Sequence, residues 1–160
     1  MKKLVILFAV FFLFGCSDRK IDEIAKEFNF YFSENNISCA FIFYDVEGAP
    51  ALTIEDRIVD YHFNNENILI TSSPQDFGWK SKETSGFKPF NYYNGDGSLI
   101  TNEEDKPMIY TGSATVDDVE RHYSLLDFND QAECFPTDSF EQNEIEMIFN
   151  LVRKIYGTNE

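Results

Sequence analysis

The sequence predicts a mainly β, α+β fold: an antiparallel β-sandwich-like domain with a C-terminal amphipathic helix. Three observations lead there. Short runs of β-branched and aromatic residues alternate with polar ones through the first three quarters of the chain. Turn residues recur between these runs, most clearly at Asn94-Gly95-Asp96-Gly97. The apolar spacing changes to a helical period only near the C-terminus.

Residues 1–15 read MKKLVILFAVFFLFG, with Lys2 and Lys3 ahead of an unbroken apolar run from Leu4 to Phe14. That run is shorter than the roughly 20 residues a spanning helix needs, and it has the length of the apolar part of a secretory signal. It ends in Leu13-Phe14-Gly15-Cys16, which resembles the lipobox of bacterial lipoproteins, departing from the usual small or β-branched residue at Phe14. The resemblance implies a signal peptide over 1–15 and lipidation of Cys16 as the mature N-terminus. Each buried acyl CH₂ contributes about 0.8 kcal/mol, and two or more chains anchor stably. The membrane is then a partner through Cys16 alone, since no later stretch is apolar enough to span. The implied location is the cell envelope, and the outer membrane in a Gram-negative cell, where Ser17 follows the lipidated Cys.

Residues 16–26 read as a polar lead-in and tether, and 27–160 as a single domain. Residues 21–32 fit two patterns. Ile21, Ile24, Ala25, Phe28, Tyr31 and Phe32 form a helical stripe, whereas Phe28, Phe30 and Phe32 alternate as in a strand. Ser38–Asp45 is the strongest strand, broken at Gly48-Ala49-Pro50. Strands are also expected over Arg57–Phe63 and Ile68–Ser72, with a turn at Asn64–Asn67. Trp79 is expected as a core or edge anchor. A hairpin joins Tyr92-Tyr93 to Leu99-Ile100, and Met108–Tyr110 and His122–Phe128 give two more short strands. No internal repeat is evident. Ser139 and Gln142 form a capping box, and Ile145, Ile148, Phe149, Val152 and Tyr156 recur at helical spacing, giving a helix over about 139–156 that Gly157 ends.

Composition narrows the function. Without residues 1–15 the chain keeps 11 basic and 28 acidic residues, a net charge of −17. This disfavours nucleic acid, whose phosphates call for clustered Lys and Arg, and leaves a basic protein as a possible partner. Three cysteines in an exported chain leave one unpaired. Lipid on Cys16 removes the odd one, so Cys39 and Cys134 are expected to form a disulfide.

FIFYDV at 41–46, Ala49-Pro50, Arg57, Tyr61 and ILITSSPQDFGW at 68–79 resemble an uncharacterised family of small bacterial lipoproteins with a β-rich domain of unknown function. The resemblance favours the strand reading of Phe28–Phe32 and carries over no activity, cofactor or site residue.

Asp76-Phe77-Gly78 lacks the glycine-rich and catalytic loops that make this tripeptide a kinase magnesium site, so a turn is expected. Asp60 and His62 lie on one strand face with no nucleophile beside them. Asn94-x-Asp96-x-Ser98 resembles the opening of a calcium loop, but Leu99 stands where glycine is required and Asp105 where a bidentate Glu is expected. Glu103-Glu104-Asp105 and Asp117-Asp118 read as solvated loops. The expectation is therefore no enzyme, with no catalytic, cofactor or metal residue, and a membrane-anchored envelope lipoprotein acting as a binding or structural module. The alternative is an inhibitor or immunity lipoprotein that neutralises a basic envelope enzyme.

Overall fold

In the computed structural model, residues 24–35, 37–79, 88–128, 134 and 150–156 are described. Among these residues, seven strands form two sheets in three layers with a C-terminal helical segment. β1 (Glu27–Tyr31), β3 (Ile58–His62) and β5 (Phe90–Tyr93) make sheet A, in the order β3-β1-β5. β2 (Cys39–Phe43), β4 (Ile68–Ile70), β6 (Met108–Val116) and β7 (Val119–Asp127) make sheet B, in the order β4-β2-β7-β6. Residues 150–156 are helical and are called α1; the start of the predicted helix lies outside the described residues.

The antiparallel sandwich is corrected in one layer and a half. Every pair in sheet A is parallel, and β2 pairs β4 in parallel. Among the described strands, β2–β7 and β6–β7 are the antiparallel pairs. The reason lies in the connections. From β1 to β5 the chain changes sheet at every step, so it re-enters each sheet running the same way. Parallel neighbours need such a crossover, whereas a hairpin stays within one sheet. Alternation of residue type marks a strand, and it is blind to which sheet the next strand joins.

The parallel register also reveals a recurrence. Phe28-Asn29-Phe30-Tyr31 aligns with Val59-Asp60-Tyr61-His62 and with Phe90-Asn91-Tyr92-Tyr93. Asn29 and Asp60 are 31 residues apart, and Asn29 and Asn91 are 62 apart. The three strands of sheet A thus repeat at a fixed interval, contrary to the expectation of no repeat. Only four positions of each interval share a residue type, too few to stand out along the sequence.

Between the sheets lies the main core. Phe28, Phe30, Val59, Tyr61 and Tyr92 from sheet A meet Ala40, Ile42 and Leu126 from sheet B, with Tyr44 just after β2. Phe30 stacks between Tyr61 at 4.7 Å and Tyr92 at 5.2 Å. The strand reading of Phe28–Phe32 therefore holds, with all three phenylalanines buried. The chain is already part of the fold at Ala25, which is buried and donates its N–H to the Gly78 carbonyl at 3.1 Å.

The second core lies on the far face of sheet B. Phe43, Ala114 and Val116 pack there against Val152 of α1, with Leu151, Ile155 and Tyr156 alongside. The Tyr156 hydroxyl reaches the backbone carbonyls of Tyr44 and His122, pinning α1 where β2 and β7 part. β6 and β7 are longer than expected because Asp117 and Asp118, both at positive φ, form the two-residue turn between them. The sequence suggests only a solvated loop at this pair, because Asp is less diagnostic of such a turn than Asn-Gly. After β5, the expected return strand shrinks to a single bridge between Tyr93 and Leu99.

Candidate functional site

The alternation of sheet A that buries Phe28 and Phe30 sends the intervening residues outward. Glu27, Asn29 and Tyr31 of β1, Asp60 and His62 of β3, and Asn91 and Tyr93 of β5 share that outer face. In-register parallel pairing stacks like on like across the three strands, giving two transverse rows.

The first row is polar. Asn29 donates from Nδ2 to Asp60 Oδ1 at 3.0 Å, and Asn91 donates to Asn29 Oδ1 at 2.9 Å and also to Glu27 Oε1. Asn29 is 5 % exposed, so this row satisfies a buried amide at the centre of the sheet. Its two carboxylates are Asp60 on the flanking β3 and Glu27 on the central β1. The second row is aromatic. Tyr31 stacks between His62 at 4.8 Å and Tyr93 at 4.7 Å, each nearly coplanar at 11°. Burial, and next the Asp60 charge, push the Tyr31 hydroxyl above its ordinary pKa, so it stays a neutral donor. Stacking covers the flat surface of Tyr31, while His62 and Asp60 at the β3 edge remain exposed. The surface thus offers amides, carboxylates and ring edges in fixed positions.

A cavity of about 410 Å³ opens beside this edge, lined among others by Leu52, Thr53, Glu55, Asp60, His62 and Thr71. Its wall, residues 50–52, is held by Thr71, which donates from Oγ1 to the Pro50 carbonyl at 2.9 Å. Ser73 Oγ accepts from the Leu52 N–H at 2.8 Å.

Asp60 and His62 share one strand face as the sequence implied, but they do not pair with each other: one bonds Asn29 and the other stacks on Tyr31. Cys39 and Cys134 are joined by a disulfide, with Cα atoms 5.4 Å apart. Cys16 lies outside the described residues. Asn94, Asp96 and Ser98 bond among themselves: Ser98 N–H donates to Asp96 Oδ1 at 2.8 Å, and Asn94 Nδ2 donates to Ser98 Oγ at 3.1 Å. Asp105 is separate and accepts from Asn102. Among the described residues, no group of three or more His, Cys, Asp or Glu is gathered to hold a metal ion.

Asp76-Phe77-Gly78 forms a turn, and it organises a cation that sequence reasoning missed. Lys88 is buried, donates from Nζ to the Gly78 carbonyl at 2.9 Å, and lies 4.7 Å from the Trp79 ring. Burial, and then the Arg57 charge, hold its ammonium below the usual lysine range. Trp79 itself stacks on Phe28 at 5.0 Å and remains 41 % exposed, an edge anchor. No sequence signal ties Lys88 to Trp79.

The fold has a solved counterpart. It is similar to the crystal structure of a candidate lipoprotein from Bacillus anthracis. The TM-score is 0.53 at 17 % identity, over 83 % of this chain and 100 % of that one. At that identity the likeness establishes the shared fold. No family model matches the chain, and no curated protein matches it. The segments that carried the resemblance in the sequence supply β2, β3, β4 and the turn to Trp79.

Proposed function

We propose that this protein is an envelope lipoprotein, exported and held on a membrane through lipid on Cys16, whose domain serves as a binding or structural module. The observation that carries the reading is the Cys39–Cys134 disulfide. Such bonds persist in oxidising compartments outside the cytosol, which is where a leader ending in Leu13-Phe14-Gly15-Cys16 would deliver the chain. The fold shared with the Bacillus anthracis protein supports it. The binding face in this reading is the outer face of sheet A, where polar and aromatic groups are fixed by the sheet itself.

Two measurements test the two halves. Metabolic labelling with a palmitate analogue should mark the wild type and not Cys16→Ser, which should accumulate unprocessed or leave the membrane fraction. Equal labelling of both would remove the anchor. In-cell cross-linking should give an adduct with wild type that is lost in Asp60→Ala/His62→Ala while the disulfide is kept. An unchanged adduct would remove this face from the binding role.

A further inference from the structure

We propose that the end of sheet A at which its three strands begin rests on the membrane, with Lys26, Arg57 and Trp79 against anionic lipid headgroups. The inference rests on the lipid at Cys16 and goes further, to which way up the anchored domain stands.

Parallel strands all begin at one end, and backbone bonds draw that end together. The Ala25 N–H donates to the Gly78 carbonyl, the Lys26 N–H to the Arg57 carbonyl and the Phe28 N–H to the Pro89 carbonyl, at 3.1, 2.7 and 3.1 Å. Carried back from Glu27–Ile58 and Phe28–Phe90, the register sets Lys26, Arg57 and Lys88 level with one another. Lys26 and Arg57 are exposed. Lys88 is buried beside the Trp79 ring, close enough to Arg57 to feel its charge. Among the described residues none of the three is paired with a carboxylate, although Asp56 and Asp76 are near.

The other end of the same strands is acidic. The Gly95 N–H donates to the Glu34 carbonyl at 3.1 Å, and Ser33 Oγ to the Asn64 carbonyl at 2.8 Å, so the three turns after the strands meet there. They expose Glu34, Glu66 and Asp96, and residues 33–35, 64–67 and 94–98 hold no Lys or Arg. Sheet A is thus polarised along its strands. A mature chain of −17 is repelled as a whole by an anionic surface. Exposed charges are screened beyond about 10 Å at 0.1 M salt, so the charges on the end that makes contact decide.

The tether says which surface lies within reach. Cys16 precedes Ala25 by nine residues, a length that spans at most about 30 Å. Ala25 is buried at the basic end. Setting the acidic end on the membrane would send the tether back along the strand from Ala25 to Ser33, about 25 Å, which uses nearly all of it. Setting the basic end down uses almost none. Trp79 suits the contact as well. It stacks on Phe28 yet stays 41 % exposed, and tryptophan is enriched where headgroups meet hydrocarbon. In this pose the strands of sheet A stand up from the surface, and the face carrying Asp60 and His62 stays open to the side.

Trp79 is the one tryptophan of the chain, so its fluorescence reports this end alone. The test places full-length protein, labelled with a palmitate analogue, in vesicles of phosphatidylcholine and phosphatidylglycerol whose phosphatidylcholine is brominated high on its acyl chains. Trp79 emission should be quenched and shifted to the blue. Lys26→Glu/Arg57→Glu should lose most of the quenching and the shift while keeping the label and the Cys39–Cys134 bond. Vesicles without phosphatidylglycerol should quench the wild type less. A labelled wild type with unquenched Trp79, equal quenching in wild type and variant, or equal quenching without phosphatidylglycerol would each overturn the orientation and leave the anchor standing. A blue shift that grows with protein density but brings no bromine quenching would put a second copy on this end instead. An unlabelled wild type would remove anchor and orientation together.

Discussion

Asn29 on β1 donates a hydrogen bond to Asp60 on β3, 31 residues further along the chain and 3.0 Å away. The same Asn29 accepts from Asn91 on β5, so one amide in the middle of sheet A ties its three strands together.

Replacing Asn29 by Ala should therefore cost more than its size suggests. The Asn91 amide loses an acceptor and Asp60 a donor beside a nearly buried site. The expected loss is about 1–3 kcal/mol. Urea unfolding of Asn29→Ala, Asp60→Ala and the double variant should show coupling between the two positions; strict additivity would count against the row.

Gly112 is needed for the room it leaves. A Cβ there would lie 2.6 Å from the Tyr123 ring, its partner across the β6–β7 ladder. Gly112→Ala should destabilise the domain by about 1–3 kcal/mol through overpacking. Adding Tyr123→Ala should cost less in that background than in wild type. Equal cost in both would show that the ring does not depend on the glycine.

The Cys39–Cys134 bond spans 95 positions. Chain-entropy reasoning gives roughly 4–5 kcal/mol for a loop of that length, an upper figure. Cys39→Ala/Cys134→Ala should unfold at lower urea concentration, and reductant should lower the wild-type midpoint towards that of the variant. A midpoint that ignores reductant would contradict the expectation.

Alkaline pH should unfold the protein through its core tyrosines. Burial pushes the Tyr44 and Tyr92 hydroxyls up to about 12, and raises those of Tyr61 and Tyr156 as well. Unfolded tyrosine ionises near pH 10, so stability from these groups is intact below about 10 and falls as pH rises towards the folded values. Each tyrosine still protonated in the fold and ionised outside it removes about 1.4 kcal/mol per pH unit. Tyr44→Phe should flatten the fall between pH 10 and 12, measured by unfolding at fixed urea.

Much of this fold was legible. β2, β3 and β4 lie where alternation and turn residues put them, because burial on one face writes itself into the sequence at period two. The disulfide followed from counting cysteines against a compartment. What the sequence did not disclose is which strand neighbours which. Phe28, Val59 and Phe90 come side by side only through crossovers between sheets, and nothing local to those residues records a crossover. The outer rows were hidden for the same reason. Asp60 and His62 were visible as a pair on one strand, but their actual partners, Asn29 and Tyr31, lie on another.

The alternation of the chain between sheets also sets an order of events. β6 and β7 are joined by two residues and can close as a hairpin within microseconds. β1 has no such neighbour. Its partners β3 and β5 lie far down the chain, so when the polypeptide emerges N-terminus first, Phe28 and Phe30 stay uncovered until most of it has followed. Closing such long loops is slow, and the last strands made are the first that can fold. The N-terminal strand is thus the part most exposed to wrong contacts during synthesis, and the part for which a holding chaperone would matter most.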